Sequence, residues 1–204
     1  IQFYSMKKID KKFNLLLPIK NEKLKRLGRN LDGGYVVDVS IIDNCKTLIT
    51  FGLGNDWSFE EDYIKKNNKV KIHIYDHTIN FYPYLKEVFK YFKRFLTFRT
   101  NSQSVINRIK NLIKFKKFIH SKNILFYKEK ISSKDKNYTD VSKVFNRIAS
   151  EEKVVIKVDI EGSEFEIIND LLLYSDRIEM LLFEFHDLDK NEQIFLELTK
   201  KLNE

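Results

Sequence analysis

Acidic and imidazole side chains follow two apolar segments in the C-terminal half of the sequence. Asp159 ends KVVIKVD, and Glu184, His186 and Asp187 lie at the end of RIEMLLFEFHD. If these segments are neighbouring strands, their ends form one acidic cleft, because parallel strands lie about 4.8 Å apart. Such a cleft suits a hard divalent cation. Histidine, with a reference pKa of about 6.5, suits a general base for a hydroxyl group, so His186 is the candidate base beside Asp159.

Structural roles are the alternative for the same residues. Glu161 and Glu164 fall in the first turn of the helix expected after Asp159, where the helix dipole favours acids, so we assign both to that helix. Asp159 itself could cap the helix. Asp187 or Asp189 could cap the last helix, and His186 could be a hydrogen-bonded structural histidine.

A second candidate site follows the first apolar segment, KTLITF. Gly52 and Gly54 resemble part of a dinucleotide fingerprint, but Trp57 occupies the third glycine position, and a lone Gly-x-Gly is a weak signal. Asp76 ends the next segment, VKIHIYD, where an acid can bind ribose hydroxyls. Together these residues favour an adenosine-containing cofactor. The alternative is a tight turn at the glycines, with Asp76 capping the next element.

The polar residues of the glycine loop bear on which cofactor binds. NAD carries a pyrophosphate, which an acidic loop would repel. S-adenosylmethionine carries none, and its amino group can donate hydrogen bonds to an acid. Asn55 and Asp56 therefore favour S-adenosylmethionine.

The elements that must position these residues alternate along the chain. Five apolar, β-rich segments are separated by helical ones, which predicts an α/β fold with a parallel sheet covered by helices on both faces. Ligands bind such sheets at the carboxyl ends of the strands, near the point where strand order reverses. The expected strands are 46–51, 70–76, 123–131, 153–159 and 177–185, and the expected helices are 58–67, 81–95, 104–119, 140–150, 161–172 and 189–202.

Local signals refine the ends of these elements. Ser58 with Glu61 three residues later is a capping-box pattern for the first helix, and Pro83 suits a first helical turn. Residues 1–30 are expected to be helical or irregular. The two glycines of RNLDGGYVV predict a hairpin or a turn leading into a strand.

Composition limits the class of protein. The 204 residues, 43% apolar and 14% aromatic, fit one domain with a sizeable core. No apolar run approaches the roughly 20 residues of a membrane helix, so we expect a soluble, cytoplasmic protein. Cys45 is the sole cysteine, which excludes an internal disulfide and a cysteine-rich zinc or iron–sulfur site.

The net charge of +8 is concentrated in one segment. Residues 84–122 contain eleven Lys or Arg and one acid, Glu87. This excess favours a phosphate-bearing substrate, such as a nucleotide-linked sugar or a phosphorylated glycan, over a nucleic-acid backbone, and it is consistent with peripheral contact to a membrane. A solvated lysine-rich helix face is the alternative.

Five segments, taken in order, resemble FkbM-type methyltransferases: RLGRNLDGGYVV, TLITFGLGNDWSFEEDY, YDHT, VVIKVDIEGSEFEII and LLFEFHD. The resemblance spans residues 26–187, and KVDIEGSE is its most characteristic part. It implies a Rossmann-like sheet of the class I methyltransferase type and S-adenosylmethionine as methyl donor. The implied reaction is O-methylation of a sugar hydroxyl in a bacterial surface glycan or its nucleotide-linked precursor.

The resemblance also implies roles for individual residues. The implied cofactor-binding residues are Phe51, Gly52, Gly54, Asn55, Asp56, Trp57, Asp76, His77 and Asp159. A divalent cation, Mg²⁺ or another, can be held in related sugar methyltransferases by acids after the fourth and fifth strands. In this sequence those acids are Asp159 with Glu184 or Asp187.

The sequence departs from the family pattern in two places. A sixth and an antiparallel seventh strand normally complete the sheet and neither follows here, so we expect one domain, residues 1–204, without its C-terminal strand hairpin. Residues 84–122 form an expected insertion. A nucleic-acid methyltransferase, or a non-catalytic module that binds a membrane or a partner through the basic segment, are the rival functions.

Overall fold

The computed structural model describes residues 21–30, 33–135 and 137–201 of the chain. The strands are β1 (Leu24–Leu27), β2 (Tyr35–Asp38), β3 (Thr47–Phe51), β4 (Lys71–Tyr75), β5 (Ile124–Tyr127), β6 (Val154–Val158) and β7 (Ile178–Phe183). The helices are α1 (Val39–Asn44), α2 (Ser58–Lys66), α3 (Tyr82–Leu96), α4 (Ser102–Ile119), α5 (Val141–Phe145), α6 (Glu164–Leu172) and α7 (Leu188–Lys201).

Strands β3 to β7 form one five-stranded sheet in the order β5-β4-β3-β6-β7, and every neighbouring pair is parallel. All five correspond to strands expected from the apolar segments. From β3 the chain adds β4 and β5 on one side, and it then crosses to add β6 and β7 on the other side, so strand order reverses between β3 and β6. This order is compatible with a Rossmann-like fold, in which ligands bind at that reversal point.

Register aligns the ends of four strands. Phe51 lies opposite Tyr75 on one side and Val158 on the other, and Val158 lies opposite Phe183. The residues that follow these positions therefore lie side by side along the carboxyl edge: Asp76, Gly52, Asp159 and Glu184.

Helices cover both faces of the sheet, as the predominantly apolar strands predict. On one face, Ile42 of α1, Phe59 of α2 and Phe115 of α4 pack against the sheet. On the other face, Val144 of α5 and Ile167 of α6 do so. Both faces are thus buried, and functional side chains are left to the sheet edges.

Five local expectations require correction. Residues 24–27 form a strand, not a helix or irregular chain, because β1 pairs antiparallel with β2 as a hairpin. Strand β5 spans four residues of the expected 123–131, and α5 five of the expected 140–150. Helix α6 begins at Glu164, so Glu161 precedes it. Helix α2 does begin at Ser58, but Ser58 does not cap it: the N-cap is Trp57, the Ser58 amide donates to Asp56 Oδ1 at 3.0 Å, and the Ser58 hydroxyl accepts a hydrogen bond from the Arg29 amide at 3.1 Å.

Other expectations fall outside what the structure describes. Residues 1–20 of the N-terminal segment and residues 31–32 of the hairpin turn are not described, and the expected sixth and seventh strands would follow Glu204. Among helices within 21–30, 33–135 and 137–201, none has both the length and the apolar character needed to cross a bilayer.

Candidate functional site

A cavity of about 330 Å³ opens at the carboxyl edge of the sheet, where strand order reverses. The loops after β3, β4, β5 and β6 line it. Its acidic lining residues are Asp76, Glu129, Asp159 and Glu161. Lys130 and His77 also contribute to the lining, so the wall carries more acids than bases.

Two glycines shape the wall of this cavity in different ways. Gly52 has a φ of +76°, and a Cβ there would lie 1.7 Å from the backbone oxygen of Asp159. Only glycine permits this approach of the β3 and β6 ends. Gly54 also has a positive φ, of +60°, but a Cβ there would meet no atom within 4 Å, because the position opens into free space.

Asp76 organises the loops around the cavity. Its Oδ2 accepts hydrogen bonds from the amides of Leu53 at 2.9 Å and Gly54 at 3.1 Å. Its Oδ1 accepts from the amide and hydroxyl of Thr78 and from the amide of Ile79. Burial raises the pKa of Asp76, but these hydrogen bonds outweigh it, so the pKa lies below its usual value. The carboxylate therefore fixes the glycine loop and caps the next turn, as the structural alternative expected.

Asp159 and Glu184 are joined by a tyrosine from the N-terminal hairpin. The hydroxyl of Tyr35 donates to Glu184 Oε2 at 2.9 Å and lies 3.4 Å from Asp159 Oδ2. Asp159 does not cap α6, whose N-cap is Ser163. Its carboxylate stays at the cavity wall, about one quarter exposed.

His186 is oriented by a buried carboxylate. Its Nδ1 lies 2.8 Å from Glu164 Oε1, and Glu164 is fully buried. The same carboxylate accepts hydrogen bonds from the amides of Ile160 and Gly162, so it acts as an acceptor, and Nδ1 carries the proton of the neutral ring. Nε2 lies 3.8 Å from Asp159 Oδ1, beyond hydrogen-bond distance. It is therefore open to a substrate hydroxyl.

Burial and neighbouring charges shift the pKa values of this cluster. Burial raises the pKa of Asp159 and the charge of Glu184 adds to it, against the opposing charges of Lys157 and His186. Burial lowers the pKa of His186, but the hydrogen bond and charge of Glu164, together with Asp159 and Glu184, outweigh it and raise the pKa. Both groups are thus stronger proton acceptors than in water.

A buried ion pair lies beneath the cluster. Lys157, with 3% of its side chain exposed, places Nζ 3.6 Å from Glu60 Oε1 and 3.7 Å from Asp159 Oδ2. It also donates to the carbonyl of Gly52 at 3.3 Å. Glu60 is fully buried, and Thr50 donates to its Oε1. Burial raises the pKa of Glu60, and Lys157 opposes that rise.

No family model, curated protein or solved structure matches the chain. The resemblance to FkbM-type methyltransferases thus rests on the sequence segments alone.

The structure brings together some of the expected site residues and separates others. Gly52, Gly54, Asp76, His77 and Asp159 all line the cavity, and Glu184 and His186 join Asp159 at its edge. Glu161, assigned from sequence to a helix, lines the cavity instead.

Five expected residues lie elsewhere. Phe51 is buried in the core on the α5–α6 face. Asn55 is exposed and outside the cavity lining, and Asp56 pairs with Arg29 at 3.1 Å. Trp57 packs in the core against α4, with its ring 5.0 Å from that of Phe115. The fifth residue, Asp187, forms an ion pair with Lys190 of α7. The cluster beside Asp159 therefore consists of Glu184 and His186 and does not include Asp187.

Sequence reasoning missed three residues of the site. Glu164 was assigned to the helix dipole, yet it holds the histidine, and nothing local distinguishes Tyr35. Lys157 did carry a signal, because it interrupts the apolar strand VVIKV, and a lysine buried in a sheet requires a charged or hydrogen-bonding partner.

Proposed function

We propose that the chain is an S-adenosylmethionine-dependent O-methyltransferase acting on a sugar hydroxyl of a bacterial surface glycan or its nucleotide-linked precursor. The observation that carries the proposal is the placement of a glycine-bounded cavity beside Asp159 and His186 at the edge where strand order reverses. Methyl donor and acceptor would then meet over the end of β6.

The charge of the cavity wall favours this donor over a dinucleotide. S-adenosylmethionine brings a sulfonium and an ammonium group, and the acidic lining suits both cations. A pyrophosphate would be repelled by the same wall. The open position at Gly54 leaves room for the donor against the glycine loop.

Asp76 has a different role from the expected ribose ligand. Its oxygens are occupied by backbone and Thr78 donors, so it presents the Gly54 loop to the donor and leaves ribose contacts to exposed lining residues. His77, the next residue along the chain, lines the cavity and can hydrogen-bond hydroxyls, whereas both oxygens of Glu129, two residues past β5, already accept from Arg147 and Thr139.

Proton removal from the acceptor is assigned to His186. The Glu164 hydrogen bond fixes the ring so that Nε2 faces the space next to Asp159. A sugar hydroxyl in that space can give its proton to Nε2 as its oxygen attacks the methyl group of the donor, which leaves as the neutral thioether. The remaining catalysis comes from alignment of the two reactants.

The donor set at the cavity edge also fits the divalent cation that the resemblance implies. Ligand atoms of Asp159, Glu184 and His186 all lie within 4.8 Å of one another. The carboxylates of Asp159 and Glu184 would hold Mg²⁺ or Mn²⁺, and Nε2 of His186 would stay free to act as the base. A cation held there would lower the pKa of the acceptor hydroxyl.

The acceptor is proposed to carry a phosphate. Lys130 lines the cavity and offers a phosphate group a cationic contact on a wall that is otherwise acidic. The pyrophosphate of a nucleotide-linked sugar is repelled by the acidic wall and would instead need the basic residues of 84–122.

The donor site is tested by isothermal titration of S-adenosylhomocysteine into the chain. We expect binding, and we expect Gly54→Val, which fills open space in the cavity, to weaken it at least about tenfold. Asn55→Val is the matched control, since the neighbouring side chain is exposed outside the cavity. Absence of binding to the unmodified chain would refute the proposal.

Catalysis is tested with radiolabelled S-adenosylmethionine and a panel of nucleotide sugars and glycans. Asp159→Asn is expected to lower turnover at least about tenfold, because it removes the carboxylate that lies beside the base and would hold the cation. Asp187→Asn makes the same chemical change outside the cluster and is expected to leave turnover unchanged. Equal effects of the two substitutions would contradict the assigned site.

A further inference from the structure

Helices α3 and α4 form an antiparallel hairpin on one side of the sheet. The ring of Tyr84 stacks on that of Phe115 with centroids 4.6 Å apart, and Arg108 Nη2 donates to the Tyr91 hydroxyl at 3.0 Å. The later residue of α3, Tyr91, contacts the earlier residue of α4, Arg108, so the two helices are antiparallel. Trp57 anchors the base of the hairpin by packing on Phe115.

Each helix of this hairpin carries an exposed apolar stripe. On α3 the stripe recurs every three or four residues, and 64% of Phe89 and 61% of Leu96 are exposed. Phe98, in the turn after α3, is 97% exposed. The full α3 stripe consists of Tyr82, Leu85, Phe89, Phe92 and Leu96, and the α4 stripe of Ile106, Ile109 and Ile113.

The two stripes lie on the same side of the hairpin. A helix turns by about 100° per residue, so the α3 stripe lies about 140° around the helix from Tyr91. The α4 stripe lies about 130° from Arg108 in the same sense. Tyr91 and Arg108 face each other. In an antiparallel pair of helices, two stripes that are rotated by similar angles and in the same sense from the line of contact lie on the same side of the pair. The two stripes therefore form a continuous apolar surface, here called the hairpin face.

Cations border the hairpin face. Helical geometry places Lys86 and Lys93 beside the α3 stripe and Lys110 and Lys117 beside the α4 stripe. Residues 84–122 contain eleven Lys or Arg and one acid. Aromatic and aliphatic side chains bordered by lysines are the pattern of helices that lie in a membrane interface.

We propose that the hairpin face docks on the surface of an anionic lipid bilayer. A second copy of the chain is a poor occupant, because a two-fold contact through this face would oppose two equally basic surfaces. A nucleic acid would satisfy the lysines but would leave the isoleucine and leucine side chains without an apolar partner. Lipid headgroups and acyl chains satisfy both. The inference is independent of the proposed methyl transfer.

Vesicle co-sedimentation of the chain tests this inference. We expect binding to phosphatidylcholine vesicles that contain phosphatidylglycerol and little binding to phosphatidylcholine alone. The double substitution Phe89→Ser with Phe92→Ser is expected to lower the partition coefficient at least about tenfold. Leu173→Ser, at another exposed leucine, is the matched control and should change nothing.

Charge is tested separately. Lys86→Glu with Lys93→Glu is expected to lower partitioning roughly fivefold or more for each lysine. Lys46→Glu with Lys69→Glu makes the same change in net charge at exposed positions outside the hairpin and should have a much smaller effect. Circular dichroism of each variant confirms that it is folded.

Three outcomes would overturn the inference. One is no binding of the unmodified chain to anionic vesicles, and another is equal binding by the serine variants. The third is a lipid-free dimer, seen by analytical ultracentrifugation, that the serine variants abolish, since the hairpin face would then join two copies of the chain. Retention on RNA that needs the lysines but not the phenylalanines, without vesicle binding, would point to nucleic acid instead.

Discussion

Replacing Lys157 by methionine should destabilise the fold strongly and in a pH-dependent way. The change removes the cation that faces Glu60, which is fully buried and whose Oε2 has no hydrogen-bond partner among the residues the structure describes. Loss of one partner of a buried ion pair costs about 3–5 kcal/mol. At about 2–4 °C per kcal/mol for a chain of this size, Tm should fall by roughly 6–20 °C.

The sign of the pH dependence follows from Glu60. Burial already raises the pKa of its carboxyl above the unfolded value, and Lys157 is the main influence that opposes the rise. In Lys157→Met the pKa climbs further, so the folded state binds the Glu60 proton more tightly than the unfolded state does. The stability from that proton is present at low pH and is lost as pH rises toward the folded pKa, by up to about 1.4 kcal/mol per pH unit.

A double-mutant cycle measured by urea unfolding tests this reasoning. Glu60→Gln in the Lys157→Met background removes the orphaned charge and keeps a group that can accept the Thr50 hydrogen bond. It should restore at least about 1 kcal/mol, a coupling typical of contacting residues. Lys69→Met, at an exposed lysine, is the control and should stay within about 0.5 kcal/mol of the unmodified chain. A penalty that is the same at pH 5 and pH 8, or no recovery in the double variant, would refute the buried-pair account.

Three further predictions concern the site itself. The rate of methyl transfer should rise with pH as His186 loses its proton, at a pKa above the usual value for histidine. Glu164→Gln should move this rise to lower pH, because the carboxylate that raises the pKa is gone. An unchanged pH–rate profile would exclude His186 as the base. Gly52→Ala should destabilise the fold by at least about 4 kcal/mol in urea unfolding, because its Cβ would overlap the β6 backbone, whereas Gly54→Ala, strained only by its positive φ, should cost about 1–2 kcal/mol. Glu184→Gln should weaken Mn²⁺ binding in isothermal titration at least about tenfold by removal of a ligand, and an unchanged affinity would exclude the cation site.

Sequence periodicity was sufficient to predict the strands of the sheet and the residues that lie at its carboxyl edge. The expected strands are all present and parallel, and Gly52, Asp76 and Asp159 each follow a strand as predicted. These are local properties, because an apolar strand followed by a turn is encoded within a few residues. The capping box at Ser58 was wrong, because Ser58 is the first residue of α2: its amide donates to Asp56, and its hydroxyl accepts from the Arg29 amide, 29 positions away.

The burial of helix α4 also shows what sequence periodicity cannot predict. Val105 and Ile109 are four residues apart and so lie on the same side of α4, yet Val105 is buried and Ile109 is exposed. Periodicity defines a face but cannot say whether the protein core, a partner or a membrane covers it.

The sequence by itself determined the alternation of strands and helices, the strand ends that carry acids and glycines, and the concentration of positive charge in residues 84–122. Only the tertiary structure decided which side chains meet. Tyr35 reaches Glu184 across 149 positions of sequence, and Lys157 meets Glu60 because strand order brings β6 beside β3 beneath α2. Such contacts depend on how the sheet closes, which no local pattern encodes, and they set the pKa values on which the proposed chemistry depends.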